Sequence, residues 1–231
     1  MKKLAILSAA SLFAFLYSAP ADLTIVQKVE GAVQNGDVIV KIKGDKERID
    51  GPSQSTRIID GKSGEMTDLM NDRKSFIKIS ASQIGKAAES IILSADKKSA
   101  RPKLIPTGKK ETINGYETEE YAYEAPQFRA SFWIATKYPD AADILKQMQA
   151  PISGAWKSSN MGMPDYTDFN GLPLKTVISM GTDEVVTTIG SIKQDVLSAS
   201  EFEIPKDFQE SKPPLPSASL PGESPSNSPT P

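Results

Sequence analysis

Along residues 22–80 apolar and polar side chains alternate in short runs. Val38, Val40 and Ile42 alternate with Ile39, Lys41 and Lys43, the period of a strand with one buried face. Residues 22–29 are rich in β-branched types, and Asn35-Gly36-Asp37 is a tight-turn signal between the two runs. Gly51-Pro52 breaks the chain. Residues 56–59, 65–70 and 75–79 read as further strands, with Asp60-Gly61 and Asn71-Asp72 as turns. The pattern predicts an antiparallel meander over 22–80.

The period then changes. Ile84, Ala87, Ala88, Ile91 and Ile92 form the stripe of an amphipathic helix, and Ser80 with Gln83 has capping-box spacing. Pro102 and Pro106 exclude regular structure between them, so a second β region is expected from Thr112. Residues 116–123 are charged and aromatic, as on a sheet with one wet face. Phe128, Ala130, Phe132 and Ile134 alternate with Arg129, Ser131, Trp133 and Ala135. Phe132 and Trp133 therefore face opposite ways, with Phe132 inward. Pro139 opens a second helix whose buried stripe is Ala141, Ile144, Leu145 and Met148. Residues 150–171 are irregular and carry Trp156, Met161, Met163, Tyr166 and Phe169. Two more strands, 172–180 and 184–197, turn at Gly181-Thr182-Asp183, and Phe202-Glu203-Ile204-Pro205 closes the domain. The sum is about nine strands and two helices, an α+β domain.

Both ends differ from this middle. Lys2 and Lys3 precede an apolar run of 14 residues, and Ala19-Pro20-Ala21 supplies small residues at a cleavage site. The run is shorter than the roughly 20 residues of a membrane span, so residues 1–21 read as a secretory signal peptide. Cleavage after Ala21 releases a bacterial protein to the periplasm or the exterior, not integral to a membrane. Residues 209–231 are a tail in which 13 of 23 residues are Pro or Ser, too few of them apolar to offset ordering. The domain is 22–208.

Composition removes many chemistries. The chain has 0 Cys and 0 His, which excludes disulfides, thiol nucleophiles, His-based triads and the usual zinc sites. Net charge is −2, and losing Lys2 and Lys3 takes it to −4, so nothing favours nucleic acid. Asp60 to Asp68 lacks calcium-loop ligands, because Lys62 and Gly64 fill ligand positions. Met161-Gly162-Met163 offers two soft thioethers without a third ligand for copper(I). Glu119 and Glu120 point to opposite faces, and Asp165 and Asp168 read as solvated loop acids. Ser153-Gly154 lacks the setting of a nucleophile elbow. These residues give no enzyme constellation, no cofactor motif and no metal site.

Several pieces resemble the DUF4412 family of exported bacterial proteins of unknown function, and the wider superfamily of the lipoprotein carriers LolA and LppX. They are residues 56–60 (TRIID), 65–70 (EMTDLM), 113–118 (INGYET), 171–174 (GLPL) and 202–208 (FEIPKDF), in that order. The resemblance implies an open antiparallel half-barrel, with about two helices covering or plugging its concave face. The superfamily's carriers hold acyl chains there. Two readings stand. One is a non-enzymatic binder or carrier of an apolar or acylated ligand, lined by Phe128, Phe132, Ile134, Trp156, Met161, Met163 and Phe169. The other is an envelope protein-interaction module with a filled interior.

Overall fold

A computed structural model describes residues 21–31, 35–92, 102–125, 128–152 and 163–211. They form one sheet of twelve strands with open ends. The meander is β1 (Asp22–Gly31), β2 (Gly36–Lys43), β3 (Lys46–Asp50), β4 (Ser55–Asp60), β5 (Glu65–Met70) and β6 (Ser75–Ile79). Helix α1 (Ala81–Ile92) follows. Then come β7 (Ile105–Ile113), β8 (Tyr116–Ala125), β9 (Phe128–Ala135), α2 (Ala141–Gln149), β10 (Leu172–Met180), β11 (Asp183–Asp195) and β12 (Gln209–Glu210). The spatial order is β12-β6-β5-β4-β3-β2-β1-β11-β10-β9-β8-β7. Every pairing is antiparallel except β12 with β6. The two meanders meet where β1 pairs with β11.

Alternation decides which face the helices cover. Leu23, Ile25, Val38, Val40 and Ile42 are buried in a cluster with Ile144, Leu145 and Met148 of α2. Ile84 of α1 packs on Ile59 and Met66, and Ile49 of β3 touches both clusters. Both helices therefore lie on one face, the concave one. Ser80 caps α1 as its spacing predicts: Gln83 Oε1 accepts the Ser80 N–H at 2.9 Å, and Ser80 Oγ accepts the Gln83 N–H at 3.4 Å.

Three expectations need correction. Strand β3, sequence KERID, is absent from the sequence reading because charges occupy both of its faces. With β12, and with β7 a strand distinct from β8, it brings the described strands to twelve. The second β region starts at Ile105, not Thr112, and contains Pro106. Strand β7 is a sheet edge, where a missing N–H is tolerated, and its register shifts between Pro106 and Lys110. Pro139 lies outside α2, ahead of the N-cap Asp140.

Charged residues hold this edge. Glu120 is buried, and Thr107 Oγ1 donates to its carboxylate at 2.8 Å while Lys109 Nζ lies 3.1 Å away. Burial pushes the Glu120 carboxyl up, but hydrogen bonds from Thr107, Lys109 and Ser131 outweigh it and hold the group below its ordinary range. The one-wet-face pattern expected for β8 thus breaks at Thr118 and Glu120, both buried. Asn114 and Gly115, at φ 51° and 82°, make the β7–β8 hairpin turn. The Asn114 amide then donates to the Ile189 carbonyl of β11.

The C-terminal stretch crosses the convex face as a belt. The Leu197 N–H donates to Asp22 at 2.9 Å, Lys41 pairs with Glu201, and Arg48 Nη1 donates to the Glu201 carbonyl at 2.8 Å. Phe202 is buried and borders a hollow with Ile58 and Thr67. Beyond it β12 pairs with β6, with the Gln209 and Ser211 N–H groups donating to Lys74 and Phe76. The next donor in that alternation would be residue 213, a proline, which has no N–H. Glu201 also accepts the Ser198 N–H at 3.3 Å. Glu201→Ala is expected to lower stability by about 1 kcal/mol, read from the urea midpoint. No change would mean that Phe202 and the main-chain contacts hold the belt without the Glu201 carboxylate.

Candidate functional site

The concave face holds a cavity of about 220 Å³ between the sheet and α2. Its floor is Phe132 of β9, Thr176 of β10, Thr187 and Ile189 of β11, and Gln27 of β1. Pairing explains the set: Phe132 lies opposite Thr176, Thr176 opposite Thr187, and Gln27 opposite Ile189. Residues directly opposite on neighbouring strands share a face. A register shift at Val26/Gln27 in the β1–β11 pair sits beside this floor. Bulges are common next to functional sites because they re-aim side chains.

The roof comes from two pieces of chain. The end of α2 supplies Met148, Gln149 and Ile152, and the stretch before β10 supplies Met163, Pro164, Asp165, Tyr166 and Phe169. Phe169 stands edge-on to Phe132, ring centroids 5.1 Å apart. Gln149 Oε1 accepts the Tyr166 N–H at 3.1 Å and ties the two roof pieces together. Asp165 and Asp168, expected as solvated loop acids, build a capping box on the 3-10 turn Tyr166–Asp168. The Asp165 N–H donates to Asp168 Oδ2 at 2.8 Å. Among the described residues bordering the cavity, only Asp165 carries a charge. The walls offer apolar surface, two thioethers and a few neutral hydrogen-bonding groups.

Of the candidate lining residues, Phe132, Met163 and Phe169 meet at this cavity. Phe128 and Ile134 are buried in the adjoining cluster with Tyr123 and Ala130, and do not border it. Trp156 and Met161 lie outside the described residues. Trp133 is on the convex face, where Lys175 Nζ sits 4.5 Å from its ring centroid. Gln27, Thr176, Thr187 and Ile189 escaped the sequence reading, since only pairing across the sheet assembles them; Gln149 and Tyr166 were not read as lining residues, since a hydrogen bond between separate segments brings them there.

A second feature of the concave face lies on β3–β5. Glu47 is half-buried and stands opposite Ile42 on one side and Ile59 on the other. Arg57, on the same face, is engaged by Asp68 through Nε at 2.7 Å and Nη2 at 3.0 Å. Burial pushes the Glu47 carboxyl up to about 7, against the lowering pull of Arg57. Burial pushes the Tyr166 phenol up as well, and the Glu47 charge adds to that shift.

Other hollows differ in character. One of about 260 Å³ under the belt is bordered by Lys46, Asp60, Glu65 and Lys78. Another of about 350 Å³ lies beside Lys103, Tyr123, Pro164 and Asp168. Among the described residues, no group of three or more acidic side chains is placed to hold a metal ion. No described helix is long and apolar enough to cross a membrane.

The geometry defines a class: an open antiparallel sheet with two helices on its concave face and an apolar cavity beneath one of them. Residues 24–208 match the family described as "Domain of unknown function (DUF4412)", and the chain belongs to that family. No curated protein matches it. Among solved structures it is similar to PNGF-II, at 15% identity and TM-score 0.41, covering 84% of this chain and 32% of that one. It thus spans about a third of PNGF-II. It is also similar to the lipoprotein LppX of Mycobacterium tuberculosis, at 12% identity and TM-score 0.42, covering 77% and 89% of the two chains. LprF from Mycobacterium bovis gives 11% identity and TM-score 0.35, with 82% and 90% covered.

Proposed function

We propose that this protein is an exported, non-enzymatic binder of an apolar group, held in the concave face beneath α2. The cavity of about 220 Å³ carries the reading. A cleft of that size, walled by core side chains and open on one side, is the setting in which small apolar ligands bind. Its walls are mostly apolar, which favours emptying it of water and filling it with hydrocarbon. It exceeds the ~150 Å³ engineered cavities that admit benzene and falls short of the roughly 300–1,000 Å³ of drug-sized sites. A ring or a medium-length acyl segment suits that volume better than a whole lipid. Met148 and Met163 suit a variable occupant, because unbranched thioethers adapt their shape.

The test is to fill the space. Thr187→Trp projects an indole into the floor from a half-buried position. Binding of N-phenyl-1-naphthylamine, followed by fluorescence, is expected to weaken at least tenfold, with the circular dichroism spectrum retained. Native mass spectrometry of protein purified without detergent is expected to show an acyl mass released by organic solvent. Probe uptake unchanged by Thr187→Trp would sink the reading. A clean apo mass together with no probe uptake would favour the filled interaction module.

A further inference from the structure

Glu47 is out of place on the face it occupies. Its strand neighbours there are Ile42, Ile49 and Ile59, and both helices cover that face. Among the described residues no donor forms a hydrogen bond or ion pair with its carboxylate, whereas carboxylates in such surroundings are ordinarily satisfied. Arg57 makes no hydrogen bond to it: Nε and Nη2 of that guanidinium hold Asp68, so one positive charge is shared between two carboxylates. The row Glu47, Arg57, Asp68 on three adjacent strands thus carries one negative charge in excess. Packing links this row to the cavity: Tyr166 borders the apolar space and rests on the same core cluster as Ile49, and Pro151, next to the lining residue Ile152, seats on Gly61 beside the Asp45 carbonyl, two residues before Glu47. An apolar chain lying under Tyr166 would bring its head toward Glu47.

Building on the proposed apolar binding, we propose that Glu47 receives the head group of the ligand, and that this head is a cation of the ammonium type. A positive head would supply the missing partner and cancel the excess charge, forming charge-assisted hydrogen bonds. An anionic head would meet an unpaired carboxylate on a poorly solvated face, where like charges repel most strongly.

Three octyl compounds differing only at the head separate this from the underlying reading. Octanol, octylamine and octanoic acid are titrated at pH 7.5 against the protein loaded with N-phenyl-1-naphthylamine. Octylamine is expected to displace the probe at a concentration at least tenfold below that of octanoic acid. In Glu47→Gln the amine and acid are expected to fall within twofold of each other. If octanol displaces the probe and amine and acid act alike in the unmodified protein, the head-group site is wrong and apolar binding stands. A preference for the amine that survives Glu47→Gln also overturns it. If none of the three displaces the probe, the apolar site and the head-group site fall together.

Discussion

Replacing Gly61 by alanine is expected to cost about 3 kcal/mol, near the top of the range for overpacking a tight site. A Cβ there would sit 2.6 Å from the Pro151 carbonyl oxygen, 2.8 Å from that of Asp45 and 2.9 Å from Pro151 Cα. All three are main-chain atoms, so no side chain can swing aside. Gly61 is where the chain leaving α2 comes down on the β2–β3 and β4–β5 turns, and its N–H donates to Asp45 at 2.8 Å. The clash would lift the end of α2, which carries Met148, Gln149 and Ile152 over the cavity. Two readouts follow: a lowered urea midpoint, and faster amide exchange in α2 than in the meander. An unchanged midpoint would show that the helix end is not seated on Gly61.

Glu47→Gln is expected to act in the opposite direction. The folded protein holds this carboxyl at about 7 against an ordinary 4.5. A carboxyl with a raised folded pKa favours the protonated folded state. Its contribution is complete below pH 4.5 and is lost as pH rises through 7. Above that, ionised Glu47 costs up to about 3 kcal/mol, nearer 1–2 where water reaches a half-buried group. Glutamine keeps the shape and removes the charge. The variant should therefore be more stable than the parent at pH 8 by about 1–3 kcal/mol and indistinguishable from it at pH 4. Denaturant unfolding at both values measures the difference. Equal stability at pH 8 would mean that the carboxylate is well solvated.

These two residues also mark the limits of the sequence. The meander was legible because its alternation is clean and its turns carry Asn, Asp and Gly, as in β2 and at Asp60-Gly61. The turn at Asp60 is as local as it looked: its carboxylate accepts the N–H groups of Lys62 and Ser63 at 3.0 and 2.9 Å. Strand β3 was not legible because Glu47 breaks the pattern from inside, an acid where an isoleucine would fit. Such local conflicts tend to fall at functional sites. For the cavity, Phe132 was readable from its strand period, and Met163 and Phe169 from their apolar character in a polar stretch. Gln27, Thr187 and Ile189 were not, because the pairing of the chain's first strand with its eleventh brings them together. Gln149 and Tyr166 depend on one tertiary hydrogen bond between separate segments.

The position of β1 shapes how the chain reaches this state. The six-strand meander needs only neighbouring segments, so its contacts are short-range and can form early. The partner of β1 on its other side is β11, and that pair spans Asp22 to Asp195. Pairings so remote in sequence form late, because a long loop must close first. Until then β1, with Leu23, Ile25 and Val29 on one face, presents an unprotected hydrogen-bonding edge and an apolar surface. Open edges of this kind recruit other chains. The hazardous interval in the life of this protein is therefore the time between the appearance of its first strand and the arrival of its eleventh. Holding that interval open, by truncating the chain before β11, would convert a folded domain into an aggregating one.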